Sequence, residues 1–205
     1  MKRALKNYIW VLVILTLFAC STNDVTGQQK DGVLTPVKQT ERNTQIISSL
    51  GFDTLLMYDL DIKNKDIKMM HFWIEHYKNG EKQEDIINGL TGTSEKMTLG
   101  VSQLDFKLDD TSYTRWTFSS SDGTALTTFD STPLELNKEN VGMAQTWVDD
   151  KTIIEAEKPI ILALLASDSG NGVRVGLDEE VIEDTIKESS EVIVVKAMIS
   201  EKDEH

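Results

Sequence analysis

The sequence of 205 residues is poor in cysteine, proline, histidine and positive charge. It contains one cysteine, three prolines and three histidines. A single cysteine excludes an intramolecular disulfide framework and every zinc site that is built from several cysteines. The 21 Lys and Arg residues stand against 34 Asp and Glu residues, which gives a formal net charge of −13. Because binding to a phosphate backbone requires a basic surface, we expect no nucleic-acid partner.

The N-terminal segment has the pattern of a signal peptide. Lys2, Arg3 and Lys6 precede an apolar stretch at 8–19 that is interrupted only by Thr16. A basic start followed by a short apolar stretch is typical of such leaders. A membrane-spanning helix needs roughly 20 apolar residues, and polar residues follow this stretch almost at once. We therefore expect a cleaved leader and no permanent transmembrane helix.

The apolar stretch ends in Leu17-Phe18-Ala19-Cys20. This motif resembles the lipobox of bacterial lipoproteins, and the plan of the chain is similar to that of small uncharacterised cell-surface lipoproteins of Gram-positive bacteria. The resemblance implies cleavage between Ala19 and Cys20 and a diacylglycerol on the thiol of Cys20, which would hold the protein on the extracytoplasmic face of the cell membrane. Three alternatives remain open. The segment could be an ordinary secretory signal whose cleavage site happens to contain a cysteine, or an uncleaved anchor with a buried cysteine. In a Gram-negative cell, Ser21 would suit sorting to the outer membrane.

The remaining chain divides into two segments by composition. Residues 20–45 follow the signal peptide at 1–19 and are mostly polar. Such a segment buries too little apolar surface to offset its ordering entropy, so it is predicted to be a flexible tether. Residues 46–205 contain short apolar runs separated by Gly, Asn, Asp and Ser, and they are predicted to form a single domain.

The short runs have the period of β-strands. Tyr58, Leu60 and Ile62 alternate with polar residues, and Asn79-Gly80 is typical of a type I′ hairpin turn. About eight to ten such runs, at a spacing of about ten residues, favour an antiparallel β-sandwich, immunoglobulin-like in general form. Apolar residues at helical spacing predict one or two short helices, at 41–50 and 178–188.

The histidines give no complete metal or catalytic site. His71 and His76 lie on one predicted strand at an odd separation, so their rings should point to opposite faces. Glu75 shares the face of His71, but a zinc site needs three or four convergent ligands. We therefore assign no catalytic residue, no metal and no cofactor.

Other polar motifs are interpreted as turns. The loop at 168–172 lacks the spacing of a phosphate-binding loop, and 173–175 is predicted to be a returning strand of a hairpin. The serines at 119–121 lack a nucleophile elbow. Three acidic pairs also lack the spacing of a calcium loop: Asp109-Asp110, Asp149-Asp150 and Glu179-Glu180.

The tryptophans leave two interpretations open. Trp73, Trp116 and Trp147 lie on three different predicted strands. They either form part of the core or line a common face for a sugar or an apolar ligand.

We expect a non-enzymatic, membrane-anchored protein whose sandwich binds an envelope protein or a small ligand. A solute- or carbohydrate-binding module that uses the three tryptophans is the first alternative. A hydrolase of envelope polymers, with Glu75, His71 or the acidic pairs in a cleft, is the second.

Overall fold

The computed structural model describes residues 31–52, 54–135, 142–168 and 172–201. These residues form thirteen strands and two helices. The strands are β1 Gly32–Pro36, β2 Thr54–Ile62, β3 Met69–Lys78, β4 Glu81–Lys82, β5 Ile87–Gly92, β6 Lys96–Leu108, β7 Thr111–Ser121, β8 Leu126–Asp130, β9 Leu134–Glu135, β10 Gly142–Trp147, β11 Thr152–Ile154, β12 Ile160–Asp168 and β13 Glu191–Ser200. The helices are α1 Glu41–Ser49 and α2 Glu179–Glu188.

The strands form two antiparallel sheets. The first sheet has seven strands in the order β11-β1-β2-β6-β7-β8, with β9 also paired to β7. The second has six strands in the order β10-β12-β13-β3-β4, with β5 also paired to β3. The predicted mainly β architecture, an antiparallel sandwich with one or two short helices, is confirmed.

The core lies between the inner faces of the two sheets. Tyr58 and Leu60 of the first sheet and Ile74 of the second belong to one buried hydrophobic cluster. At its centre the rings of Phe72 and Phe118 stack with their centroids 3.7 Å apart. Fully burying side chains of this size contributes roughly 1.5–3 kcal/mol each, so this cluster is the main source of stability.

Two tight turns have the predicted left-handed backbone. Asn79 and Gly80 have φ angles of 50° and 81° between β3 and β4. Both positive values match a type I′ hairpin and confirm the prediction from the dipeptide. Asp109 and Asp110 have φ angles of 48° and 67° between β6 and β7. The first predicted acidic pair is therefore a hairpin turn.

The predicted tether is wrong for residues 32–36. These residues form β1, which pairs with β2 on one side and with β11 on the other. Leu34 is fully buried in the core. The polar composition of 20–45 gave no indication of this strand. A five-residue strand needs only two or three buried side chains to join an existing sheet, so a mostly polar segment can contain one. The sandwich therefore begins before residue 46.

Three further local differences concern short elements. The predicted strand at 173–175 is irregular and leads into α2. Val173 and Val175 are nevertheless partly buried against the cluster below that helix. Strands β5 and β9 were not predicted, because β5 contains two glycines and β9 has only two residues. The helix predicted at 41–50 is present as α1, and none of its residues is buried.

Helix α2 covers part of the outer face of the second sheet. Ile182 packs on Leu164, Ala166, Val192 and Val194 of β12 and β13. Glu179 and Glu180 occupy the first turn of the helix, where negative charge interacts favourably with the helix dipole. The acidic pair Glu179-Glu180 therefore has a structural role.

Candidate functional site

The part of the outer face that lies on β3 carries an unusual set of side chains. Met70, Phe72 and Ile74 of this strand are buried in the core. Because side chains alternate along a strand, the intervening residues point to the outer face. These outer residues are His71, Trp73, Glu75 and Tyr77.

A buried carboxylate lies at the centre of this face. Glu75 is only 7% exposed. Its Oε1 accepts hydrogen bonds from Trp73 Nε1 at 3.1 Å and from Lys82 Nζ at 3.3 Å. Its Oε2 accepts a hydrogen bond from the Tyr77 hydroxyl at 2.9 Å and lies 2.9 Å from Lys196 Nζ. Two lysines therefore balance the charge, and each of these four polar partners of the carboxylate is a donor.

This network changes the proton affinities of its members. Burial opposes ionisation of Glu75, but hydrogen bonds from Lys196, Trp73 and Tyr77 outweigh it and lower the pKa of Glu75 from 4.5 to about 2. Burial, together with the hydrogen bond to Glu75, raises the pKa of Tyr77 above its usual value. At neutral pH Glu75 is therefore ionised and Tyr77 is a protonated donor.

A second pair of contacts fixes His71 beside Trp73. The two rings stack with a centroid distance of 4.6 Å and an interplanar angle of 29°. His71 Nε2 lies 2.9 Å from Asn88 Oδ1 on the neighbouring strand β5. Leu90, which is 36% exposed, lies opposite His71 in the ladder and shares its face. Trp73, His71 and Leu90 thus form the uncovered part of this face, which we call the Trp73 face.

A family comparison identifies the domain that carries this face. The model of the YgaN domain matches residues 33–199. The chain belongs to the YgaN domain family. The match begins in β1 and ends in β13, so the YgaN domain includes both sheets and both helices. No curated protein and no solved structure matches the chain.

The two predicted strand histidines occupy opposite faces of the YgaN domain, as the odd spacing requires. His71 belongs to the Trp73 face, whereas His76 is buried on the inner side. His76 Nε2 lies 2.8 Å from Glu191 Oε1, a residue 115 positions away in sequence. Within the described part of the chain, no group of three His, Cys, Asp or Glu side chains could hold a metal ion.

The three tryptophans do not form one ligand face. Trp116 is fully buried in the core, which excludes it from any surface platform. Trp73 lies on the outer face of the second sheet. Trp147 is 41% exposed on β10, at one edge of that sheet. Of the two interpretations, the common ligand face is wrong, because the three strands direct these side chains into the core, outward and toward an edge, and the core interpretation holds for Trp116.

The serines at 119–121 form the end of strand β7, so their interpretation as a turn is wrong. The loop that follows them begins at Asp122. Asp122 Oδ1 accepts hydrogen bonds from the backbone N–H groups of Thr124 and Ala125, each at 2.8 Å. These bonds lower the pKa of the Asp122 carboxyl. Asp149-Asp150 lies in the bend before β11. In the loop at 168–172, residues 169–171 lie outside the described residues.

The predicted lipidation site, Ala19 and Cys20, also lies outside the described residues. Among the residues that the structure does describe, neither helix has the length and apolar character needed to cross a bilayer. The lipid anchor therefore stays a prediction from the sequence.

Proposed function

We propose that this protein is a lipoprotein anchored outside the cell membrane through a diacylglycerol on Cys20, and that its YgaN domain is a non-enzymatic module that binds an envelope protein. The basic start, the apolar stretch and the lipobox-like Leu17-Phe18-Ala19-Cys20 support the anchor. The Trp73 face supports the binding role.

The observation that carries this proposal is the way in which Glu75 holds the aromatic side chains. It accepts hydrogen bonds from both Trp73 and Tyr77, and the stack with His71 restricts the indole further. A side chain that is already ordered loses less entropy when it binds. Tryptophan, tyrosine and methionine are also enriched at protein interfaces, and Met198 lies opposite His71 on β13. The Trp73 face therefore has the composition and rigidity of a protein-binding surface.

The same contacts favour this function over the two alternatives. A general acid needs a pKa near the working pH, whereas the pKa of Glu75 is about 2 and the carboxylate is fully occupied. A sugar ring stacks on an open aromatic face, and the stack with His71 leaves at most one face of the Trp73 indole for it, while Trp116 is buried and Trp147 lies on another strand. A protein partner needs neither a proton donor nor an open ring face.

Site-specific photo-cross-linking in living cells tests the binding role. A photoreactive amino acid at position 90 should capture one envelope protein reproducibly, because Leu90 borders Trp73 on the exposed face. The matched control is position 126, since Leu126 is 70% exposed on the outer side of the first sheet. Trp73→Ala should remove the adduct at position 90. Equal adducts at both positions would contradict the proposal.

Labelling with a radioactive fatty acid tests the anchor. The natural chain should incorporate the label and fractionate with membranes, whereas Cys20→Ser should do neither. Ser21→Ala keeps the thiol and serves as the control, so it should still incorporate the label. Labelling of the Cys20→Ser chain would show that Cys20 is not the site of attachment.

A further inference from the structure

Strand β10 is an open edge of the second sheet. It pairs with β12 through six consecutive residue pairs, Gly142 to Trp147. On its other side no strand is paired within the described residues. Alternate residues of an edge strand direct their backbone N–H and C=O groups away from the sheet, where a further strand can bind them.

The sequence of β10 lacks the devices that normally protect an edge. Its six residues, GMAQTW, contain no charged side chain and no proline. Both its large apolar side chains are exposed, Met143 by 71% and Trp147 by 41%. Because they lie four residues apart, they point to the same face of the strand. Proteins usually place lysine, proline or a bulge on such an edge to prevent pairing.

Each end of β10 borders a recess. Trp147 lines a groove of about 250 Å³ together with Pro36, Val37, Leu56 and Tyr58. Met143 lines a smaller cleft of about 60 Å³ at the other end. The two recesses are separated by four residues of an extended chain, roughly 13 Å. We call them the Trp147 groove and the Met143 cleft.

The Met143 cleft is polar and acidic on one side. It is lined by Glu191, whose carboxylate is held by His76, and by Glu135 of β9. The hydrogen bond with His76 lowers the pKa of Glu191, so this carboxylate is ionised at neutral pH. Thr114 also lines the cleft, and its hydroxyl is buried without a hydrogen-bond partner among the described residues. A hydroxyl and two carboxylates can together accept the protons of an ammonium group.

The volume of the Met143 cleft indicates whether its ligand is a whole small molecule or only the end of one side chain. Sites for small molecules usually enclose roughly 300–1,000 Å³. The Met143 cleft encloses only about 60 Å³, well below that range. This space fits the terminal methylene and ammonium of a lysine. The long lysine side chain can also cross the roughly 4.8 Å between neighbouring strands.

We propose that β10 docks an extended, basic segment of another protein. The segment adds a strand to the second sheet, places a lysine in the Met143 cleft and an apolar side chain in the Trp147 groove. If the segment runs antiparallel to β10, it passes the Trp147 groove first and the Met143 cleft second, so its sequence has the order apolar-x-x-x-Lys. A second copy of this chain is disfavoured, because each copy carries a net charge of −13 and β10 has no cation for the cleft. This docking edge is distinct from the Trp73 face and does not depend on it.

A set of three seven-residue peptides tests the inference on purified residues 31–205. The probe is acetyl-Thr-Phe-Thr-Val-Thr-Lys-Thr-amide, in which phenylalanine and lysine are four residues apart. Two matched peptides replace the lysine by glutamate or move it by one position, which turns it to the other face of the strand. NMR titration gives the affinity, and amide hydrogen exchange gives the position on the protein.

The lysine probe should bind at least tenfold more tightly than either matched peptide. The alternate amides of Gly142 to Trp147 that point away from β12 should become protected in the complex. Glu135→Gln should reduce the preference for lysine over glutamate, and Trp147→Ala should weaken the binding of all the peptides. Trp73→Ala should change nothing, which separates this inference from the proposed function. Equal affinity for the lysine and glutamate peptides, absence of binding, or protection outside β10 would each overturn it.

Discussion

Replacing Glu75 by Gln tests whether the network on β3 depends on the charge of its carboxylate. The substitution keeps the size of the side chain but removes its charge, so Lys196 loses its counter-ion and Lys82 keeps only Asp85, at 3.2 Å. In the folded protein the pKa of Glu75 is lowered from 4.5 to about 2. At about 1.36 kcal/mol for each pKa unit, the ionised carboxylate stabilises the fold by roughly 3 kcal/mol at neutral pH.

The sign of the pH dependence follows from the lowered pKa. This stabilisation is fully present above the unfolded-state pKa of 4.5 and disappears as the pH falls toward about 2. The stability gap between the natural protein and Glu75→Gln should therefore shrink by roughly 2 kcal/mol between pH 7 and pH 3. Urea denaturation at both pH values measures the gap directly.

Glu183→Gln is the matched control for this measurement. Glu183 forms an ion pair with Lys187 on α2, but its side chain is 72% exposed. Exposed pairs of this kind contribute only about 0.3–0.5 kcal/mol. If Glu75→Gln cost no more than Glu183→Gln, or if its cost were independent of pH, the proposed network would not stabilise the domain.

Two further predictions concern packing. Gly89→Ala should destabilise the domain by about 1–3 kcal/mol in denaturant unfolding, because a Cβ at position 89 would lie 2.3 Å from Phe72 Cζ. Gly92→Ala on the same strand should cost less than about 1 kcal/mol, since its nearest atom is 4.0 Å away, and equal costs would contradict the packing described. A chain truncated to begin at residue 46 should lose cooperative unfolding, because it lacks β1 and the buried Leu34, whereas one that begins at residue 31 should retain it. Cooperative unfolding of the shorter chain would show that β1 is dispensable.

Much of the fold could be predicted from local patterns. The alternation at Tyr58, Leu60 and Ile62 defined a strand and its buried face, and Asn79-Gly80 defined a hairpin. These signals are local because strand period and turn backbone depend on neighbouring residues. Strand β1 had no such signal. It is held by pairing with β2 and β11, and β11 is more than 100 residues away in the chain.

The candidate site could be predicted only in part. Glu75 and His71 were placed on one face by alternation along a single strand, and the structure adds Trp73 to that face. Lys196, which lies on β13, could not be assigned to Glu75 from the sequence. The same limit applies to the contact between His76 and Glu191. Contacts between distant strands depend on sheet order, which a single sequence does not specify.

The positions of the tryptophans relative to the core also depend on sheet order, so they could not be predicted from the sequence. Each was placed correctly on a strand, but the orientation of each strand relative to the core decides exposure. Trp116 is buried because it shares the inner face of β7 with Phe118. Trp147 is exposed because β10 is an edge strand. An interpretation that used the tryptophans as one group therefore could not succeed.

The most direct test of the account is the affinity of purified residues 31–205 for the protein that is captured at position 90. Trp73→Ala should weaken this affinity at least tenfold, about 1.4 kcal/mol, because the indole is an ordered, partly exposed anchor. Leu126→Ala on the opposite sheet should leave the affinity within about twofold of the natural value. If Trp73→Ala bound as tightly as the natural domain, the Trp73 face would not be the binding surface.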